Sequence, residues 1–319
     1  MGADLLSVPP PTVTPMATLP NPLPALAADP SGRSLGLQLP PGRLIEAGGT
    51  SHALKAVGDH EGPWHQPLLW HAERQASPGN WAALGSPAGR AGLLPVLLDT
   101  GGAQGGPEGW ELMPGEMSYP GDHDAEEVLA EFWEDYAADE LGADGDHPGG
   151  ESTVELFGEP TPYDETVAPY GAVWPGLSPA LPLTAAPDAR AAEVADSLVD
   201  AGSGFKEPRL ALVPARRSAD IPAAIGWTGP MNHEGDTARL CAVLRSWEDR
   251  FGIRVVAVTF DQLVLSVAAP PTTQAEAEAV AAEHFAFCPD NITQGHHATL
   301  RAYAAHEVLG QRAWSFWWD

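Results

Sequence analysis

Ile253-Arg254-Val255-Val256-Ala257-Val258-Thr259, a break at Phe260-Asp261-Gln262, then Leu263-Val264-Leu265-Ser266-Val267-Ala268: this stretch decides the fold. Two runs rich in β-branched residues with a short polar break between them predict a β-hairpin. Upstream, Arg209-Leu210-Ala211-Leu212-Val213 is a strand ended by Pro214. Residues 236–251 then predict a helix, with Leu240, Val243, Leu244 and Trp247 inward and Gly252 as its stop. Downstream, Pro270-Pro271-Thr272 opens a helix to about Phe287, residues 299–309 form another, and residues 313–318 close as a strand. The order β-α-β-β-α-(α)-β predicts an α+β domain over residues 208–319. It matches a split β-α-β, ferredoxin-like layout with helices on one face of an antiparallel sheet.

Residues 41–207 read as a smaller, acidic, loop-rich α+β region. Strands are predicted at 42–47, 67–72 and 93–98. A helix is predicted over 122–141, with Val128, Leu129, Phe132, Trp133 and Tyr136 on one face and carboxylates on the other. Asp122 or Asp124 caps it. Residues 142–190 are broken by prolines, and a short helix is expected at 188–200. Residues 1–40, rich in Pro, Ala and Leu, read as a disordered tail.

The 319 residues carry 16 Lys+Arg against 43 Asp+Glu, a formal charge of −27, which excludes a nucleic-acid surface and argues against docking on anionic lipid. The charge is concentrated upstream. Residues 208–319 hold 12 acids and 9 Lys/Arg, whereas residues 108–165 hold 19 acids and no Lys or Arg. Two cysteines, Cys241 and Cys288, make no disulfide framework, and no apolar run approaches a membrane span. A cytoplasmic location is the expectation.

Four blocks of the C-terminal third resemble a known bacterial family. They are Ile221-Pro222-Ala223-Ala224-Ile225-Gly226-Trp227 with Asn232; residues 244–252, Leu-Arg-Ser-Trp-Glu-Asp-Arg-Phe-Gly; residues 281–292, ending Phe287-Cys288-Pro289-Asp290-Asn291-Ile292; and the terminal Trp314-Ser315-Phe316-Trp317-Trp318-Asp319. Together they resemble the family catalogued as domain of unknown function 4253, over roughly residues 209–319. The resemblance implies a bacterial, intracellular protein and no particular activity.

Candidate site residues come from the same third. His284 and Cys288, four apart on one helix face, read either as a structural pair, as zinc ligands or as a Cys–His nucleophile. Trp227 and Asn232 lie on a Gly/Pro-rich loop and read either as structural, with the Asn capping or turning the chain, or as part of a ligand or partner pocket. Arg245 on the next helix and Asn291 after Cys288 complete a candidate pocket of six residues. Asp144-Gly145-Asp146-His147-Pro148-Gly149 with Glu155 partly matches a calcium loop, but Pro148 stands where an oxygen ligand is expected. Trp314, Phe316 and Trp318 alternate, either as a strand burying its aromatics or as an exposed partner site. No phosphate-binding or nucleophile-elbow pattern occurs, and Gly101-Gly102-Ala103-Gln104-Gly105-Gly106 lacks the lysine of a phosphate cradle. No cofactor or metal is expected. The composition favours a non-catalytic interaction protein, immunity-like or regulatory, with an acidic surface for a basic protein partner. The alternative is an enzyme or metal-dependent binder centred on Trp227, Asn232, His284 and Cys288.

Overall fold

The computed structural model describes residues 21–47, 67–142, 162–200 and 202–319. Among the described residues seven strands form one mixed sheet: β1 (Gly42–Glu46), β2 (Pro67–Ala72), β3 (Leu93–Asp99), β4 (Pro208–Pro214), β5 (Arg254–Val258), β6 (Gln262–Ser266) and β7 (Ala313–Trp317). Their order is β1-β2-β4-β3-β5-β6-β7. All neighbouring pairs are antiparallel except β3 and β5, which run parallel. The hairpin expected at 253–268 is β5–β6, with Leu263 opposite Val258.

Five longer helices cover the sheet: α1 (Asn80–Arg90), α2 (Ala125–Gly142), α3 (Pro187–Val199), α4 (Thr237–Phe251) and α5 (Gln274–Phe287). The main core packs Leu129 and Trp133 of α2, Val243 and Trp247 of α4, and Val280 and Phe285 of α5 on Val96, Leu98, Val255 and Leu265. On the opposite face Trp81 of α1 and Ala191, Val194 and Ala195 of α3 pack on Leu97, Leu210, Val256 and Val264. Helices therefore lie on both faces, which corrects the expectation of one. The unbroken apolar runs Leu210–Val213 and Val255–Val258 are the reason: every residue is buried, as in a strand covered on both sides.

The α+β class stands, but the ferredoxin-like order does not. In a split β-α-β unit the two strands joined by the helix run parallel. Here β3 lies between β4 and β5, antiparallel to β4 and parallel to β5, so β4 and β5 run antiparallel to each other. The inserted strand comes from upstream of residue 208, so one sheet spans the two regions that the sequence separates.

Residues 21–40 also differ from the expected tail. Pro24–Ala28 is a short helix, and Leu23, Leu26 and Leu37 are buried against Trp70, Ala88 and Leu212. Helix α1 was not expected, because Gly85, Pro87 and Gly89 disfavour it. Packing of Trp81 and Ala88 outweighs those propensities. The helix expected over 299–309 is a single α-turn, Leu300–Tyr303, that widens into a π-turn at Ala304–Val308. The calcium-loop candidate at 144–155 lies outside the described residues.

Helix ends follow local chemistry. Asp124 accepts from the backbone N–H groups of Glu126 and Glu127, and Asp236 from that of Ala238. Thr273 and Glu276 make a reciprocal capping box on α5. Gly252 closes α4 at φ 62°.

Candidate functional site

The six expected pocket residues fall into three separate settings. His284 and Cys288 are linked through Tyr303 and Asn291. His284 is fully buried in an aromatic box, with ring centroids 4.5 Å from Trp314, 4.9 Å from Phe316 and 5.0 Å from Trp247. Its Nδ1 lies 3.2 Å from the Tyr303 hydroxyl. The Asn291 amide donates to that hydroxyl, at 3.2 Å. The Nε2 atom faces the aromatic box without a polar partner. Burial pulls the His284 pKa down to about 3, so the ring is neutral at pH 7.

Cys288 is the C-cap of α5 and is fully buried. Its thiol donates to the Trp317 carbonyl at 3.0 Å and contacts Asn291 Oδ1 at 3.5 Å. Burial pushes its pKa up, which suppresses the thiolate that nucleophilic attack or zinc binding needs. Asn291 is a strand clamp. Its amide donates to the Ser315 carbonyl at 2.7 Å and its oxygen accepts from the Trp317 N–H at 3.1 Å. One side chain thus satisfies the free edge of β7 as a neighbouring strand would. A cavity of about 310 Å³ opens beside it, lined by His296, His297, Tyr303 and Glu307 among others; of the six candidates only Asn291 lines it.

Trp227 and Asn232 hold the chain end. The Trp227 indole N–H donates to the Thr259 and Phe260 carbonyls, and its ring meets Trp318 edge-on at 5.6 Å. Asn232 donates to the Asp319 carbonyl at 2.6 Å. Gly226 opens the loop at φ 66°, where a Cβ would sit 2.1 Å from the Pro114 nitrogen, so only glycine allows the approach. Arg245 points elsewhere. It forms a two-pronged pair with Asp220 at 2.5 and 2.9 Å and lies over the Tyr119 ring, and the Asp220 carboxylate holds its pKa up. Trp314, Phe316 and Trp318 are buried, each at most 2 % exposed, as the closing-strand reading expects. Among the described residues no three His, Cys, Asp or Glu side chains are grouped to hold a metal ion, and no helix is long and apolar enough to cross a membrane.

Beneath these residues Arg250 and Glu283 form a buried ion pair. Glu283 is fully buried and accepts from Arg250 Nη1 at 2.8 Å and Nη2 at 2.5 Å, from the Ser178 N–H and hydroxyl, and from the Trp247 indole. Both carboxylate oxygens are fully used, which is what makes such burial tolerable.

A second concave feature lies where β4 ends and β3 and β5 begin. It is a cleft of about 610 Å³ between α1, α3 and the loop after β4, within the size range of small-molecule sites. Four arginines line it: Arg90, Arg216, Arg217 and Arg254. Glu248 fixes two of them, with Arg217 Nε on one oxygen and Arg254 Nη1 on the other, both at 3.4 Å. Arg217 also pairs with Asp249 at 2.6 Å and Arg254 with Asp188 at 2.8 Å. The sequence holds one signal for this cleft. Arg216-Arg217 is the only Arg-Arg pair in a chain with 16 basic residues, and it begins two residues past a strand end.

Residues 209–319 match the family model of a domain of unknown function (DUF4253). The match covers about a third of the chain, over the residues that carry the resemblance. No curated protein and no solved structure matches the chain. The DUF4253 segment supplies Trp227, Asn232, Arg245, His284, Cys288 and Asn291, and also Arg216, Arg217, Glu248 and Arg254 of the cleft. Arg90, Trp81 and Asp188 come from upstream, so the cleft needs both parts of the chain.

Proposed function

We propose that this chain is a non-catalytic protein-interaction protein, immunity-like or regulatory, whose acidic face receives a basic protein partner. The observation that carries this reading is helix α2. Its seven carboxylates, Glu126, Glu127, Glu131, Glu134, Asp135, Asp139 and Glu140, are all exposed on a helix anchored by fully buried Leu129 and Trp133. Glu131 pairs with Arg239 at 2.7 Å, and the helix carries no cation of its own. A rigid, one-signed surface raises association rates with an oppositely charged partner and loses that advantage as salt screens it. The polar groups best suited to chemistry, His284, Cys288 and Asn291, are instead engaged inside the fold. That removes support from the enzyme or metal-dependent alternative.

The test is capture of partners on the immobilised protein from a bacterial lysate, at low salt and at about 0.5 M salt. A neutralised variant, E126Q/E127Q/E134Q/D135N, runs in parallel. The expected result is a basic protein retained at low salt, released at high salt and missing from the variant. Retention of no basic protein, or equal retention by the variant, overturns the reading.

A further inference from the structure

We infer that the arginine-lined cleft is a binding site for a small organic oxyanion, a phosphate or carboxylate attached to an apolar or aromatic body. This inference does not depend on the acidic face, which lies on α2 across the sheet from α1 and α3.

Charge supplies the first argument. The whole chain carries 16 Lys+Arg and a formal charge of −27, yet four of those cations line one cleft, against two lining carboxylates, Asp188 and Glu248, and a third, Asp249, paired with Arg217. A local positive excess inside a concave wall focuses potential and draws an anion from solution. The arginines arrive from three places: the last turn of α1, the loop after β4, and the first residue of β5. Chain neighbourhood alone does not bring them together.

The second argument is preorganisation. Scaffolding accounts for Arg217 and Arg254, which tie the loop after β4 and the start of β5 to Glu248 on α4. Those pairs orient both guanidinium groups before any ligand arrives. Arg90 is different. It is exposed and forms no ion pair among the described residues. Arg216, also exposed, stands beside the same opening. Guanidinium stays charged at all relevant pH values and presents a planar fork that fits the two oxygens of a carboxylate or phosphate.

The third argument is the remaining wall. Trp81, Leu94, Pro95, Ala191 and Ala192 line the cleft with apolar surface, and Gly85 and Gly89 of α1 add no side chain to fill it. The arginines face an oxyanion, and the apolar wall faces a hydrocarbon or ring attached to it.

The experiment is titration calorimetry of the full chain with phenyl phosphate, with benzoate, with inorganic phosphate and with benzyl alcohol. Saturable, stoichiometric binding of at least one aromatic anion is expected, about tenfold tighter than inorganic phosphate, with none for benzyl alcohol. The R90A/R216A variant removes the two exposed arginines and should weaken that binding by tenfold or more while leaving the unliganded melting temperature within a few degrees. A control, R33A/R312A, makes the same change in net charge outside the cleft and should bind as the unmodified protein does. No saturable binding of either aromatic anion at about 10 mM overturns the inference, that concentration marking the limit of weak specific binding. So does binding that R90A/R216A leaves intact, or that R33A/R312A weakens equally. Phenyl phosphate without benzoate, or the reverse, assigns the oxyanion.

Discussion

Replacing His284 with phenylalanine should flatten the acid side of the stability profile. In the folded protein the ring is neutral, enclosed by Trp247, Trp314 and Phe316, with its pKa pulled down to about 3 from an ordinary 6.5. The unfolded chain takes up a proton on this residue below about pH 6.5, and the folded one does not. The neutral ring's contribution is complete above pH 6.5 and is lost as pH falls toward 3. The slope is about 1.4 kcal/mol per pH unit, so the loss between pH 6.5 and 5 is about 2 kcal/mol. Phenylalanine keeps the ring volume and carries no titrating group, so this loss disappears. At pH 7.5 the variant itself forfeits the Tyr303 bond, a cost of about 1 kcal/mol. Urea unfolding followed by tryptophan fluorescence, at pH 7.5 and 5.0, measures both proteins. Other titrating groups are common to the two, so the difference of differences isolates residue 284. The unmodified protein should lose about 2 kcal/mol more than the variant. Equal losses would refute the reasoning.

Glu283→Gln should destabilise the fold by about 3–5 kcal/mol, because Arg250 is left without its counter-charge in the interior. The paired change E283L/R250M should recover part of that loss in the same urea titration, and no recovery would contradict the account. Asn291→Ala should cost about 1–3 kcal/mol and speed amide exchange at Trp317, whose N–H loses its acceptor on the free edge of β7. Cys288 should resist a thiol reagent in the native state and react on unfolding, since burial raises its pKa and its thiol is bonded to the Trp317 carbonyl. Rapid native labelling, with Cys241 replaced, would contradict it.

Much of the local structure was readable in the residues. The hairpin at 253–268, helix α4 with its Gly252 stop, helix α2 with its Asp124 cap and the alternating aromatics of β7 each rest on patterns a few residues long. Short-range periodicity and end chemistry suffice for these. Helix α1 was hidden, because Gly85 and Pro87 oppose it and only the burial of Trp81 and Ala88 favours it. The site was less legible still. The spacing of His284 and Cys288 was visible, but not that one enters an aromatic box while the other bonds β7. Arg216-Arg217 was passed over, and Arg90 and Arg254 lie 126 residues before and 37 after those neighbours, with nothing local to link them.

By itself, then, the sequence determined the strands, four of the five longer helices, the uneven charge and the family resemblance of residues 209–319. Each depends on residue type and near neighbours. Tertiary structure alone decided that β3 inserts between β4 and β5, that helices cover both faces, and that four arginines meet at one end of the sheet. Strand order and the meeting of distant side chains are set by which buried surfaces fit together across the whole chain, and no local window contains that choice.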